Sequence, residues 1–118
     1  MSIVEKVVLV PRFTAFVEPQ TLRTSPIDVR DFARAELTGW RGEYFGTGTL
    51  FKFSLEESVD LLSWTPIAAS AIALAARTED TVSCEFEKPW VRVVVTLAGS
   101  PGCAATSWLV GNFTRRDR

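Results

Sequence analysis

Over residues 50–55 the chain alternates cleanly. Phe51, Phe53 and Leu55 fall on one side, and Lys52, Ser54 and Glu56 on the other. A period of two is the signature of a strand with one buried and one wet face. The polar group Glu56-Glu57-Ser58-Val59-Asp60 breaks this pattern and reads as a turn, and the chain resumes at Trp64-Thr65-Pro66-Ile67. The same alternation returns at 81–87, with Val82, Cys84 and Phe86 inward against Ser83, Glu85 and Glu87, until Lys88-Pro89 interrupts it. Residues 90–97 form the strongest strand. Val91, Val93, Val95 and Leu97 make one face, and Trp90, Arg92, Val94 and Thr96 the other. Gly99-Ser100-Pro101-Gly102 is a turn by composition. Residues 104–114 then close the pattern, with Trp108 and Val110 opposed to Leu109 and Phe113, ahead of a charged tail expected to fray.

The first half is less regular. Residues 7–10 are a β-branched run that Pro11 is expected to end. Residues 12–18 form a second short strand, with Phe13, Ala15 and Val17 on one side and Thr14 and Phe16 on the other. Proline cannot donate to a ladder, so Pro19 should stop it, leaving 20–26 as a polar connection. Residues 25–40 admit two readings. Ser25, Pro26 and Asp28 resemble a helix start, with Val29, Phe32, Ala33, Leu37 and Trp40 near helical spacing. Alternatively, Ala33, Ala35 and Leu37 alternate against Phe32, Arg34 and Glu36; the β context favours this strand, over 31–38. Gly39, Gly42, Gly46 and Gly48 punctuate what reads as a long loop. No lysine or helix start follows them, so a phosphate cradle is disfavoured. The alanine-rich stretch 68–77 is either a helical turn or extended, and 78–80 reads as a turn.

A chain of 118 residues, 47% apolar and 11% aromatic, is expected to form a single domain with a core that needs neither metal nor disulfide. The net charge of −1 gives no broad field for nucleic acid or an anionic membrane. No apolar run approaches the roughly 20 residues of a membrane helix, and the N-terminal run reads as a strand rather than a secretory signal. Cytosolic synthesis is therefore expected, with Cys84 and Cys103 as two idle thiols in preference to a disulfide. The absence of histidine removes the usual metal ligand and the Ser/His and Cys/His machineries. Glu56, Glu57 and Asp60 are a candidate glycosidase pair or calcium site. The plainer reading is a solvated turn in which Asp60 accepts backbone N–H bonds. Trp64 and Trp90 read as core pillars, and Arg92 as an outward residue of its strand or one paired with an outward glutamate such as Glu85. No catalytic, cofactor or metal residue is assigned, and no enzymatic activity is expected.

The pattern implies about seven to eight short strands in an antiparallel sandwich or barrel. Within it, Ser58-x-Asp60-x-x-x-Trp64-Thr65, then Trp90-Val91-Arg92-Val93, then Thr96-Leu97-Ala98-Gly99 resemble small β-sandwich proteins encoded among the virion genes of tailed bacteriophages. That family carries an ES-x-D-G-x-x-W-T hairpin, an aromatic-x-Arg-Val strand and T-x-A-G; the likeness covers 32–113. Leu61 stands where the family has glycine, so the turn must be longer or of another type than I′. The resemblance implies a jelly-roll-like sandwich with short N- and C-terminal arms. It also implies a non-enzymatic capsid decoration, cement or accessory head role in the virion. The partners would be the major capsid protein, other virion subunits or further copies of the chain, with no direct contact to nucleic acid or membrane. Phe16, Trp40, Tyr44 and Phe45 are the candidate partner-binding residues. The alternative is a receptor-facing carbohydrate-binding module, which predicts a row of exposed aromatics on one sheet face or loop edge.

Overall fold

The structure, a computed structural model, describes residues 3–47 and 50–116. These residues form strands and turns without a helix. The strands are β1 (Val4–Val17), β2 (Gln20–Arg23), β3 (Ile27–Asp28), β4 (Phe32–Phe45), β5 (Leu50–Ser58), β6 (Thr65–Ala73), β7 (Thr78–Glu85), β8 (Trp90–Ala98) and β9 (Ala104–Arg115). They build two antiparallel sheets in a sandwich-like arrangement. One has the order β1-β9-β4-β7; the other runs β2-β8-β5-β6, with β3 also on β8.

Alternation decides which side of each strand is buried. In β8, Val91, Val93, Val95 and Leu97 are at most 2% exposed, and in β5 Phe51, Phe53 and Leu55 at most 1%. From the other sheet come Ala35, Leu37, Leu109 and Phe113, all at 1%. Phe51 meets Phe53 edge-on at 5.0 Å between ring centres, and Phe86 and Phe32 pack on Phe113 at 5.3 and 5.5 Å. Close approach of the sheets sets the need for Gly39, where a Cβ would lie 3.1 Å from Phe53 Cδ2 and 3.4 Å from Leu109 Cδ1.

Several expectations from the sequence are corrected. Pro11 does not end a strand: β1 runs through it, with register shifts between Val8 and Val10 and between Val10 and Thr14. As the outer strand of its sheet, β1 has one side with no ladder, so the missing N–H removes nothing. Residues 20–26 are not a plain connection, because β2 and β3 pair along β8. Of the two readings for 25–40 the strand holds, but β4 continues through Phe45, across most of the stretch expected to be a glycine loop. Gly48 lies outside the described residues. Residues 78–80 open β7 rather than turning. The expected terminal arms are instead the paired strands β1 and β9, from Val4↔Thr114 onward, and Arg115 binds Glu5 at 2.6 Å.

The alanine-rich stretch is extended. Between Phe53↔Ile72 and Leu55↔Ile67 the β5–β6 register jumps. The buried Ser70 hydroxyl fills the gap, accepting from Leu55 N–H at 2.7 Å and donating to the Ile67 carbonyl at 2.6 Å. A side chain thus replaces the ladder bond that the bulge removes.

Candidate interaction surface

The outward side chains of β1, β9, β4 and β7 form one face. Because Trp40 and Trp108 sit directly opposite each other in the β4–β9 register, alternation brings both indoles out together. Their rings lie 6.3 Å apart at 15° to one another. Phe13 stands edge-on to Trp40 at 6.3 Å, and the Arg12 guanidinium lies 5.6 Å from the Trp108 ring centre. Phe13 adopts φ 60°, in the left-handed region, at the irregular part of β1, and is 70% exposed. Past the bulge that Pro11 interrupts, the backbone tips this ring onto the tryptophans. The far edge of the Trp40 ring reaches over Gly42, where a Cβ would come within 2.8 Å of Cη2. Below the indoles a groove of about 490 Å³ runs between Lys6, Val8, Arg12, Trp108, Val110 and Asn112. Val4, Val8 and Val17 continue this apolar surface along the sheet edge, each more than half exposed.

The four residues expected to bind a partner separate in space. Trp40 is on this face. Phe45, 70% exposed, projects at the far end of β4. Tyr44 is half-buried, and the Arg41 guanidinium lies 3.7 Å from its ring centre. Phe16 is corrected outright. At 6% exposure it packs on Phe51 at 5.7 Å, because the register shifts in β1 turn it into the core. Phe13, Val8 and Trp108 were not singled out as contact residues. For Trp108 a signal existed, since it alternates against Leu109 and Phe113; its pairing with Trp40 is a fact of register.

The opposite sheet treats its polar residues differently. Arg92 Nε donates to Glu56 Oε1 at 2.9 Å, and Arg23 Nε lies 3.5 Å from the same oxygen. Arg92 also lies over the Trp64 ring at 4.1 Å. The partner of Arg92 is therefore Glu56, its direct β5–β8 neighbour, and not Glu85, which is on the other sheet. Trp64 and Trp90 are half-buried at the surface rather than pillars of the core.

The three carboxylates read as an acidic turn go to three different places. Glu57 is still in β5, 6% exposed, and its Oε1 accepts the N–H groups of Glu87 at 3.0 Å and Lys88 at 3.2 Å. Asp60 alone belongs to the turn, and its Oδ1 accepts from Leu62 and Ser63 N–H, each at 2.9 Å. Those bonds, Ser63 first and Leu62 next, hold its carboxyl below the usual aspartate range. Ser58 Oγ accepts from Leu61 N–H at 2.9 Å, which helps Leu61 sustain φ 66°. The turn, with bends at 59–63, is longer than a two-residue hairpin and still demands a left-handed residue where leucine stands. It leaves Val59, Leu61 and Leu62 exposed, Leu62 at 85%. Among the described residues no group of three or more His, Cys, Asp or Glu side chains could hold a metal ion. Both cysteines are free and buried, and burial, aided by the Glu57 charge, pushes the Cys84 thiol up to about 11.

No protein-family model matches the chain, and no curated protein is similar enough to count as a relative.

Proposed function

We propose that this chain is a non-enzymatic structural subunit of a tailed-phage particle, a jelly-roll sandwich that binds neighbouring subunits to decorate or reinforce a shell. The observation that carries the binding half of this reading is the open apolar edge. Strand β1 lies at the margin of its sheet, and Val4, Val8, Phe13 and Val17 are exposed along it, beside the Trp40–Trp108 pair. Pro11 and the bulges of β1 blunt ladder pairing at this edge, so the contact is made by its apolar side chains rather than by an added strand. An exposed phenylalanine and two half-buried tryptophans beside such an edge have the composition of an interface core. The jelly-roll reading is supported by the strand order. If β2 and β3, both on β8, are taken as one interrupted strand, the sheets read β1-β9-β4-β7 and β2/3-β8-β5-β6. A double Greek key in which β1 pairs with β9, β2/3 with β8, β4 with β7 and β5 with β6 produces that order. The phage assignment rests on the Ser58–Trp64 hairpin and the Trp90–Val93 and Thr96–Gly99 motifs.

The test is sedimentation of the purified protein alone and with capsid shells. Self-association or shell binding that is lost in Val8→Lys supports the reading. A native protein that stays monomeric at high concentration and does not pellet with shells overturns it.

A second reading is favoured by one observation: Phe13, Trp40 and Trp108 make an aromatic row on a sheet face, the platform on which sugar rings stack. As a carbohydrate-binding module the chain would bind glycans in an array and lose them in Trp108→Ala. A blank array removes this reading and leaves the first untouched.

A further inference from the structure

We infer that Arg41 anchors a binding pocket for a small organic carboxylate at the end of the sandwich opposite the Ser58–Trp64 turn. Arg41 is 3% exposed, yet among the described residues it has no ion pair, and its Nε has no hydrogen-bond partner. An unpaired buried guanidinium is expensive, and arginine does not escape by losing its proton. Directly across the β4–β9 ladder stands Ser107, wholly buried, and its Oγ is the other buried side-chain atom left without a partner. Neither group satisfies the other. Ser107 does not line the cleft at Arg41, so Arg41, buried and without an ion pair among the described residues, is the group that calls for an acceptor there.

The surroundings define that acceptor. Arg41 lines a cavity of about 390 Å³ with Tyr44, Leu50, Phe51, Leu74 and Ala75. This is the volume of a small-molecule site, apolar-walled with few polar groups. The Tyr44 ring covers one face of the guanidinium at 3.7 Å. A face so covered leaves the planar edge as the binding element, and that edge matches a carboxylate in two parallel N–H···O bonds. Phosphate or sulfate would turn further charged oxygens onto Leu50, Phe51 and Leu74, which offer no donor. A carboxylate on an aliphatic stem satisfies the charge and fills the walls. This inference is independent of the assembly reading, since the pocket is an open cleft at the end of the sandwich and not on the β1 edge.

The experiment is calorimetric titration and thermal melting of the full chain with sodium octanoate, 1-octanol, sodium acetate and inorganic phosphate. Octanoate should bind and raise Tm, while octanol (tail without charge), acetate (charge without tail) and phosphate leave Tm in place. Arg41→Met should weaken octanoate by about ten- to hundredfold, the worth of a charged hydrogen bond. Without ligand its Tm should hold or rise, because a methionine stem fits the site without an unpaired charge. Ala75→Trp, at an exposed position on the rim, should block octanoate with Arg41 intact, and it carries the test if the methionine variant does not fold. Equal shifts by octanoate and octanol, protection by phosphate alone, or native-strength octanoate binding in either variant overturns the proposal.

Discussion

The two outward faces of the molecule obey the same alternation and end in opposite states. On the β2-β8-β5-β6 sheet the outward charges close on each other. Arg92 and Arg23 share Glu56, and Arg92 shields the Trp64 ring. On the β1-β9-β4-β7 sheet exposed Val8 and Phe13 and half-buried Val110, Trp40 and Trp108 have, beyond the Arg12 contact with Trp108, no charged neighbour among the described residues that engages them, while Thr38 and Thr81 in the row of Val8 and Val110 bond each other at 3.0 Å. A face whose polar groups already have partners gains little from a second molecule. A face of aromatic and branched side chains at an open sheet edge gains its full desolvation energy only when covered. By that difference the second face is the one that would gain more from being covered.

The contrast can be broken most sharply at the edge. Val8→Lys, which puts a charge in the middle of the apolar strip, should weaken self-association or shell binding by about 2–4 kcal/mol, as for an interface hot spot. Thr96→Lys on the opposite face should leave it unchanged; sedimentation velocity reads both. A smaller effect is expected inside. Ser70→Ala leaves the Leu55 N–H without its acceptor, for a loss of about 1–3 kcal/mol in urea unfolding at constant m-value, with association intact in the folded fraction. On the closed face, Arg92→Ala should cost about 1–2 kcal/mol, because the lost charged hydrogen bond to Glu56 is part-buried and the cation–π contact is modest. High salt should shrink that difference. Least in energy, Gly42→Ala should cost under about 1 kcal/mol, since only the far edge of the Trp40 ring must move. It should nevertheless alter the near-ultraviolet dichroism of the paired tryptophans, and an unchanged spectrum would mean the indoles do not sit over Gly42.

Much of this was legible from the chain alone. The alternations at 51–55, 82–86, 91–97 and 109–113 named inward residues that are buried, save Val82, which is half-buried, and the Gly99–Gly102 turn and the Asp60 backbone bonds were read as they stand. Local rules failed where a partner strand overruled them. Pro11 is tolerated because β1 is an edge, β4 runs on through Gly39 and Gly42 because the facing sheet and a folded-down indole need the room, and Glu57 stays in its strand to hold the 87–88 backbone. Counting over 12–18 set Phe16 opposite Phe13, Ala15 and Val17, as in the structure, but which side faces the core was decided by the register shifts earlier in β1.

What the sequence determined by itself is the strand content and the identity of most of the core, because a period of two follows from the geometry of an extended backbone and needs no neighbour. Tertiary structure alone decided the register that sets Trp40 against Trp108 and Arg41 against Ser107, and the edge position of β1. Those follow from which strands, far apart in the chain, are hydrogen-bonded side by side. A shift of one residue in that pairing reverses every side chain and leaves the hydrophobic pattern of the sequence unaltered.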